Sequence, residues 1–350
     1  MTSFLQRPMN PHTVRRAFHP SRLRADGGDF LAAVFPEQAF PAAADTASDY
    51  RLACRRGYAA MAETRVAITG LARNLGAVLP LTIRRIEDLG RWFADYRVVV
   101  FENDSTDGTR LELKRWAVTN RRVEVVCEDR HDPVNPTTRC LARAERMATY
   151  RRRCQEQVLG SCSRFDHTLI IDLDILGGWS VDGIANSFGH PGWDFMGSNG
   201  LVYRRRGLAM NEPRQYDTWA LRFDDALTPL STVVAGGMVY LRGEPPVRVT
   251  SCFGGLGIYT MDAYRAGRYS TDDLEHATFH RELIAAGFGQ LFLNPSQLVV
   301  YGRRHRFGDR AIGLLLDGWA AASGRRQQTL FPRGCLPVAP APVAALRAAA

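Results

Sequence analysis

Thr168-Leu169-Ile170-Ile171-Asp172-Leu173-Asp174-Ile175 is the stretch that decides the fold. Its apolar, β-forming residues read as a buried strand, and the run ends in two aspartates separated by one leucine. Residues two apart on an extended chain point to the same side, so both carboxylates face one spot at the strand's carboxyl end. Two adjacent anions call for a cation. Oxygen-only ligation suits a hard ion, Mg²⁺ or Mn²⁺, that keeps positions open for substrate phosphates.

An acidic strand end also begins many solvated loops, so Asp-x-Asp alone carries little. A strand followed by Asp-Leu-Asp also fits the nucleophile motif of haloacid-dehalogenase-type phosphatases. That motif needs Thr or Val two residues on, where this chain has Leu176, and a downstream Lys, whereas the only lysine is the upstream Lys114.

Outward from this strand, helix and strand alternate. Strands are expected at Arg65–Leu71, Tyr96–Phe101, Val123–Cys127 and 168–175. Between them come a helix running to Asp95, with Leu79, Ile83, Ile86, Leu89 and Phe93 on one face, a helix over Arg110–Val118, and a long Arg-rich helix over Thr137–Val158. This order predicts an α/β fold, a mostly parallel sheet with helices on both faces and ligands beyond the strands' carboxyl ends. Residues 177 to 257 loosen into Gly-, Trp- and Pro-rich segments that read as the acceptor side. A helix over Thr271–Ala286 and strands at Gln290–Leu293 and Leu298–Tyr301 close the domain. Residues 1–45 read as a disordered or loosely packed arm, with one helix from Thr46 to Ala62. The domain spans 46–316, and 317–350 is an Ala/Pro/Arg-rich tail.

The chain has 350 residues, 45% hydrophobic and 23% charged, which suits a folded globular protein with a sizeable core. The net charge of +9 points to acidic partners, although it is almost all arginine, as in a GC-rich genome. Seven cysteines without a Cys-x-x-Cys pair suggest reduced thiols rather than a zinc site or disulfide frame. No signal core or membrane-length apolar run stands out, so the expected location is cytoplasmic, with a basic surface able to sit at the inner face of a membrane. Neither a Walker-type Gly-Lys-Ser/Thr nor a dinucleotide fingerprint is present.

Glu102-Asn103-Asp104-Ser105-Thr106-Asp107-Gly108-Thr109 follows the second strand. Such a turn can contact a base or ribose, or simply cap its own helix. Together with Ala72-Arg73-Asn74, Asp172-Leu173-Asp174, Tyr216-Asp217-Thr218-Trp219-Ala220, Ser251-Cys252-Phe253-Gly254-Gly255, Glu275-His276 and Phe279-His280, it resembles a GT-A fold (Rossmann-like) glycosyltransferase, specifically the cryptococcal capsule-associated mannosyltransferase family and its bacterial relatives. The similarity covers roughly residues 65–305.

The resemblance implies a metal-dependent hexosyltransferase that moves a sugar, in this family mannose from GDP-mannose, to a saccharide or lipid-linked acceptor, with no nucleic-acid partner. It implies that Arg73, Asn103, Asp104 and Asp107 lie near the donor nucleotide. Asp172 would touch ribose or a metal-bound water, and Asp174 would ligate Mn²⁺ or Mg²⁺. His305 is the candidate third metal ligand, and Glu275 or Asp273 would lie near the acceptor hydroxyl, as its base if the reaction inverts. Arg139, Arg143 and Arg146 are spaced to put at least two guanidinium groups on one helical face, where they could grip a diphosphate. Trp179, Trp193 and Trp219 are stacking candidates or core. Two rivals stand beside this reading: a sugar-phosphate nucleotidyltransferase, and a non-catalytic glycan- or nucleic-acid-binding relative.

Overall fold

The computed structural model describes residues 26–27, 34–136, 140–206, 210–303 and 329–331. Strands β1 (Asp26–Gly27) and β12 (Thr329–Phe331) pair with each other apart from the main sheet. That sheet runs in the order β4 (Val123–Glu128), β3 (Asp95–Asn103), β2 (Arg65–Ala72), β5 (His167–Ile171), β10 (Leu256–Thr260), β7 (Phe195–Arg206), β11 (Leu291–Arg303), β6 (Gly178–Trp179). Two short strands pair at its side, β8 (Met210–Gln215) with β7 and β9 (Val247–Arg248) with β11, and the short helix α6 (Thr232–Gly236) comes between them in the chain.

The first four strands are parallel; β10 then enters antiparallel between β5 and β7, and β11 runs parallel to β7. Period-2 alternation sorts the side chains to two faces. Val66 and Ile68, Val98 and Val100, Leu169 and Ile171 join one core with α2 (Leu79–Gly90), α3 (Thr109–Thr119) and α5 (Val181–Phe188). Their neighbours Ala67, Val99 and Ile170 join the other core with α4 (Leu141–Cys162), α7 (Met261–Ala266) and α8 (Glu275–Ala285). The expected layering, helices on both faces, is therefore present.

Several boundaries differ from expectation. The helix expected to reach Asp95 ends at Gly90, and Asp95 already pairs with Arg65 in the sheet. The long helix runs over Leu141–Cys162, and its expected start at Thr137 falls outside the described residues. The strand expected over 168–175 stops at Ile171. Beyond that point α2 takes the backbone. The Thr82 hydroxyl donates to the Leu173 carbonyl at 2.9 Å, and the Arg85 guanidinium to those of Ile175 and Leu176 at 3.0 and 2.9 Å.

The helix expected from Thr271 begins at Glu275: Tyr269 turns inward and stacks on Phe279 with ring centroids 4.3 Å apart, and the chain bends over residues 271–273 before the helix starts. The segment read as loosened after Gly177 supplies two central strands, β7 and β10. The two pieces expected at 290–293 and 298–301 are one strand, irregular between Asn294 and Leu298.

The end of the N-terminal arm packs closely. Phe35 and Phe40 lie against Leu201, Tyr203, Leu298 and Val300, and the Glu37 carboxylate accepts from Ser180 and pairs with the buried Arg242. Helix α1 (Ala47–Glu63) follows as expected and packs on α5, where a Cβ at Gly57 would lie 1.5 Å from the Ala185 carbonyl oxygen. The C-terminal tail is outside the described residues except for β12. No helix among the described residues is long and apolar enough to cross a membrane.

Candidate active site

Asp172 and Asp174 sit in the turn just past β5, half-buried on one side, while Leu173 and Ile175 point into the core. The strand's alternation thus continues beyond its last ladder bond. The turn is clamped along its backbone. The Asp172 N–H donates to the Gly255 carbonyl at 2.9 Å, the Leu176 N–H to the Tyr301 carbonyl at 3.1 Å, and α2 holds the intervening carbonyls. Gly255 has φ +91°, a conformation that side-chain-bearing residues rarely adopt, and so glycine stands where the carbonyl must turn toward Asp172.

Each carboxylate has its own brace. Arg151 donates to Asp172 at 3.0 Å, and the Tyr216 hydroxyl donates to the other oxygen at 3.3 Å. The Tyr301 hydroxyl donates to Asp174 at 2.7 Å. Tyr216 and Tyr301 stack with centroids 4.2 Å apart, so one aromatic pair fixes both acids. Burial pushes the Asp172 carboxyl up to about 7, Arg151 opposing and Asp174 and Asp217 adding to the rise. Burial also raises Asp174, Asp217 and Glu275.

Glu275 opens α8 almost fully buried, and its Oε2 has no hydrogen-bond partner. It lines a cleft of about 350 Å³ with Leu141, Arg143, Trp219 and Asp273. Arg143 lies over the Trp219 ring at 5.1 Å. Trp179 and Trp193 belong to the core, so of the three tryptophans weighed for stacking, Trp219 is the one at a cleft.

The polar turn after β3 is stitched to its neighbours. Asp104 accepts backbone N–H groups from Arg130, His131 and Asp132 at 2.8, 2.9 and 3.1 Å, and Asn103 donates to it at 2.9 Å. Although Asp104 is only partly buried, these donors hold its carboxyl at about 2. Asp107 accepts from the N–H groups of Gly76 and Thr109, both at 2.9 Å, and Arg73 donates to the carbonyls of Asp132 and Pro133. These four side chains therefore knit together the loops after β2, β3 and β4. Arg146 bonds to Asn135. Arg139 and His305 lie outside the described residues.

The paired histidines of α8 are core residues. His280 bridges Tyr259 and Ser251, each at 2.9 Å, and His276 stacks on Phe253 at 3.9 Å. Among the described residues, no group of three or more His, Cys, Asp or Glu side chains could hold a metal ion. The donor set still fits a hard divalent ion: two carboxylates, crowded and raised by burial, suffice when phosphate and water complete the shell.

Sequence reasoning did not single out Arg151, Arg85 or Tyr301. Arg151 carried a signal, since it falls on the buried stripe of α4 with Ala144, Ala148, Gln155, Val158 and Cys162, where an apolar residue belongs. Arg85 sits likewise on the inner face of α2.

No family model and no curated protein matches this chain. Among solved structures it is similar to GalNAc-T7 with UDP, GalNAc and Mn²⁺ (13% identity, 71% of this chain, 45% of that one, TM-score 0.43). It is also similar to a mannosyltransferase from Pyrobaculum calidifontis with GDP-Man and Mn²⁺ (15%, 83% and 76%, TM-score 0.40). A third is glucosyl-3-phosphoglycerate synthase from Mycobacterium tuberculosis with Mn²⁺, UDP and glucosyl-3-phosphoglycerate (14%, 79% and 84%, TM-score 0.38). The chain spans under half the length of the first of these. At such scores the functional reading rests on this chain's own residues.

Proposed function

We propose that the chain is a metal-dependent glycosyltransferase of GT-A type, transferring a hexose from a nucleoside-diphosphate sugar to a saccharide or lipid-linked hydroxyl. The finer reading, mannose from GDP-mannose, rests on the sequence resemblance. The observation that carries the proposal is the braced acidic pair, Asp172 and Asp174, facing one side at the carboxyl end of a central parallel strand, where α/β sheets bind ligands.

In this reading Asp174 and Asp172 would hold Mn²⁺ or Mg²⁺, which when bound would supply positive charge to offset that growing on the departing nucleoside diphosphate. Arg151 and the Tyr216–Tyr301 pair keep the two carboxylates from swinging apart. Asn103, Asp104, Asp107 and Arg73 act by shaping the rim on which the nucleotide lies. Arg143, over Trp219, reaches the donor from α4. For transfer with inversion, Glu275 is the base for the attacking hydroxyl: it lines the cleft beside Arg143 and Trp219, and burial raises its carboxyl, which strengthens it as a proton acceptor.

The test is a screen of nucleotide-sugar hydrolysis with Mn²⁺, comparing wild type with Asp172→Asn and Asp174→Asn. Asp174→Asn is expected to lower turnover about 100-fold or more. Equal turnover in all three proteins would remove the mechanism.

A further inference from the structure

A second cavity, of about 550 Å³, opens beside α4 further toward its carboxyl end, lined by Arg152, Arg265, Arg268, Gln155, Tyr269 and Ser270 among others. Arg265 is tied to Asp262 and to the Ser163 carbonyl. Arg152 makes one contact, to the Thr149 hydroxyl at 3.3 Å, and Glu156 at the rim is paired with Arg153. Among the lining residues Arg265 and Glu156 are each matched by an ion pair, which leaves the exposed Arg152 and Arg268 as the charges at the cavity's rim.

Its wall is built to hold shape. Gln155, itself buried, donates to the carbonyls of Tyr264 and Gly267 at 2.7 and 2.8 Å. Tyr269 is 1% exposed and packed on Phe279, with its hydroxyl unpartnered. A Cβ on Gly267 would lie 2.4 Å from the Phe279 ring, so the linker is pressed onto α8. This pinned linker carries Arg268 at one end and Asp272, Asp273 and Glu275 of the catalytic cleft at the other. Along α4, Ala144 in the cleft and Arg152 in the cavity are eight residues apart, about 12 Å of helix. That is the reach of a short oligosaccharide.

We propose that this cavity is an anion subsite of the acceptor: the acceptor glycan carries a carboxylate or phosphate a few sugar units from the accepting hydroxyl, and Arg152 and Arg268 bind it while that hydroxyl lies at Glu275. The inference deepens the glycosyltransferase reading and rests on it for the position of the hydroxyl. A glycan anion is favoured over a membrane surface because none of the exposed large apolar side chains among the described residues lines the cavity.

The test is calorimetric titration of the full chain, without donor, using an oligogalacturonate and a neutral oligosaccharide of equal length. The oligogalacturonate is expected to bind more tightly, and Arg152→Gln with Arg268→Gln to weaken it at least tenfold while Mn²⁺-dependent donor hydrolysis stays at the wild-type rate. Unchanged affinity in the double variant, equal binding of the neutral chain, or equal arginine-dependent binding to phosphatidylglycerol vesicles would each overturn the subsite. Absence of Mn²⁺-dependent donor hydrolysis in the wild type would instead count against the glycosyltransferase reading and leave the subsite standing, because the titration needs no turnover.

Discussion

A buried arginine bound to a carboxylate that must also face substrate is an expensive arrangement, and Arg151 shows what it achieves. Its side chain is 3% exposed and that of Asp172 is 21% exposed, so the pair is sheltered yet open at the carboxylate end. Removing one partner of such a pair leaves the other charge poorly solvated. Here that loss is capped, because Asp172, already raised to about 7, takes a proton when its guanidinium partner is gone. Arg151→Met is therefore expected to cost about 2 kcal/mol in urea denaturation at pH 8, and less as pH falls and the acid takes up its proton. Adding Asp172→Asn should recover about 1 kcal/mol or more, the sign of direct coupling. Strict additivity of the two substitutions would show that the contact carries no energy.

At the scale of elements, the carboxyl ends of β2, β3 and β4 are held together by side chains that read from sequence either as contacts to a base or ribose or as caps of their own helix. Asp104 is the clearest case. Replacing it with Ala leaves the N–H groups of Arg130, His131 and Asp132 to water, at a cost of about 1 kcal/mol because these donors are largely solvent-accessible. The expected readout is a lowered unfolding midpoint together with faster amide exchange at residues 130–132, while exchange in α8 stays as in wild type. The layered sheet up to β5 was legible because its residues alternate or repeat with clear periods, and so was the acidic pair, since strand alternation carries on through Asp174. The second half was hidden. Strand β10 joins by antiparallel pairing between β5 and β7, residues far off in sequence, and Gly197, Gly200, Gly254 and Gly257 sit where backbone and rings press close, so their composition imitates loop. Roles set by long-range partners, such as those of Arg85 and Tyr301 toward the acidic turn, have no local signature.

Across the whole molecule, acid response separates two sets of buried groups with opposite sign. Burial holds His280 at about 3 and His276 well below its ordinary value. The unfolded chain binds these two protons near pH 6.5 and the fold does not, so each histidine's contribution is complete above 6.5 and is lost as pH falls toward the folded value. The slope is about 1.4 kcal/mol per pH unit for each. Burial raises Asp172, Asp174, Asp217 and Glu275, which bind protons in the fold first and gain stability on acidification. The two trends offset one another in the wild type, so the histidine part is read as a difference. His276→Phe is the suitable variant: both ring nitrogens lack partners and the ring stacks on Phe253, so an apolar ring keeps the packing and removes the titration. Relative to wild type, it is expected to hold or gain stability at pH 7.5 and to gain a further ~1.4 kcal/mol per unit between pH 6 and 5, by chemical denaturation at each pH. A variant whose stability difference from wild type stays constant over that range would mean that His276 is protonated in the fold, and that the core around α8 is wetter than its burial implies.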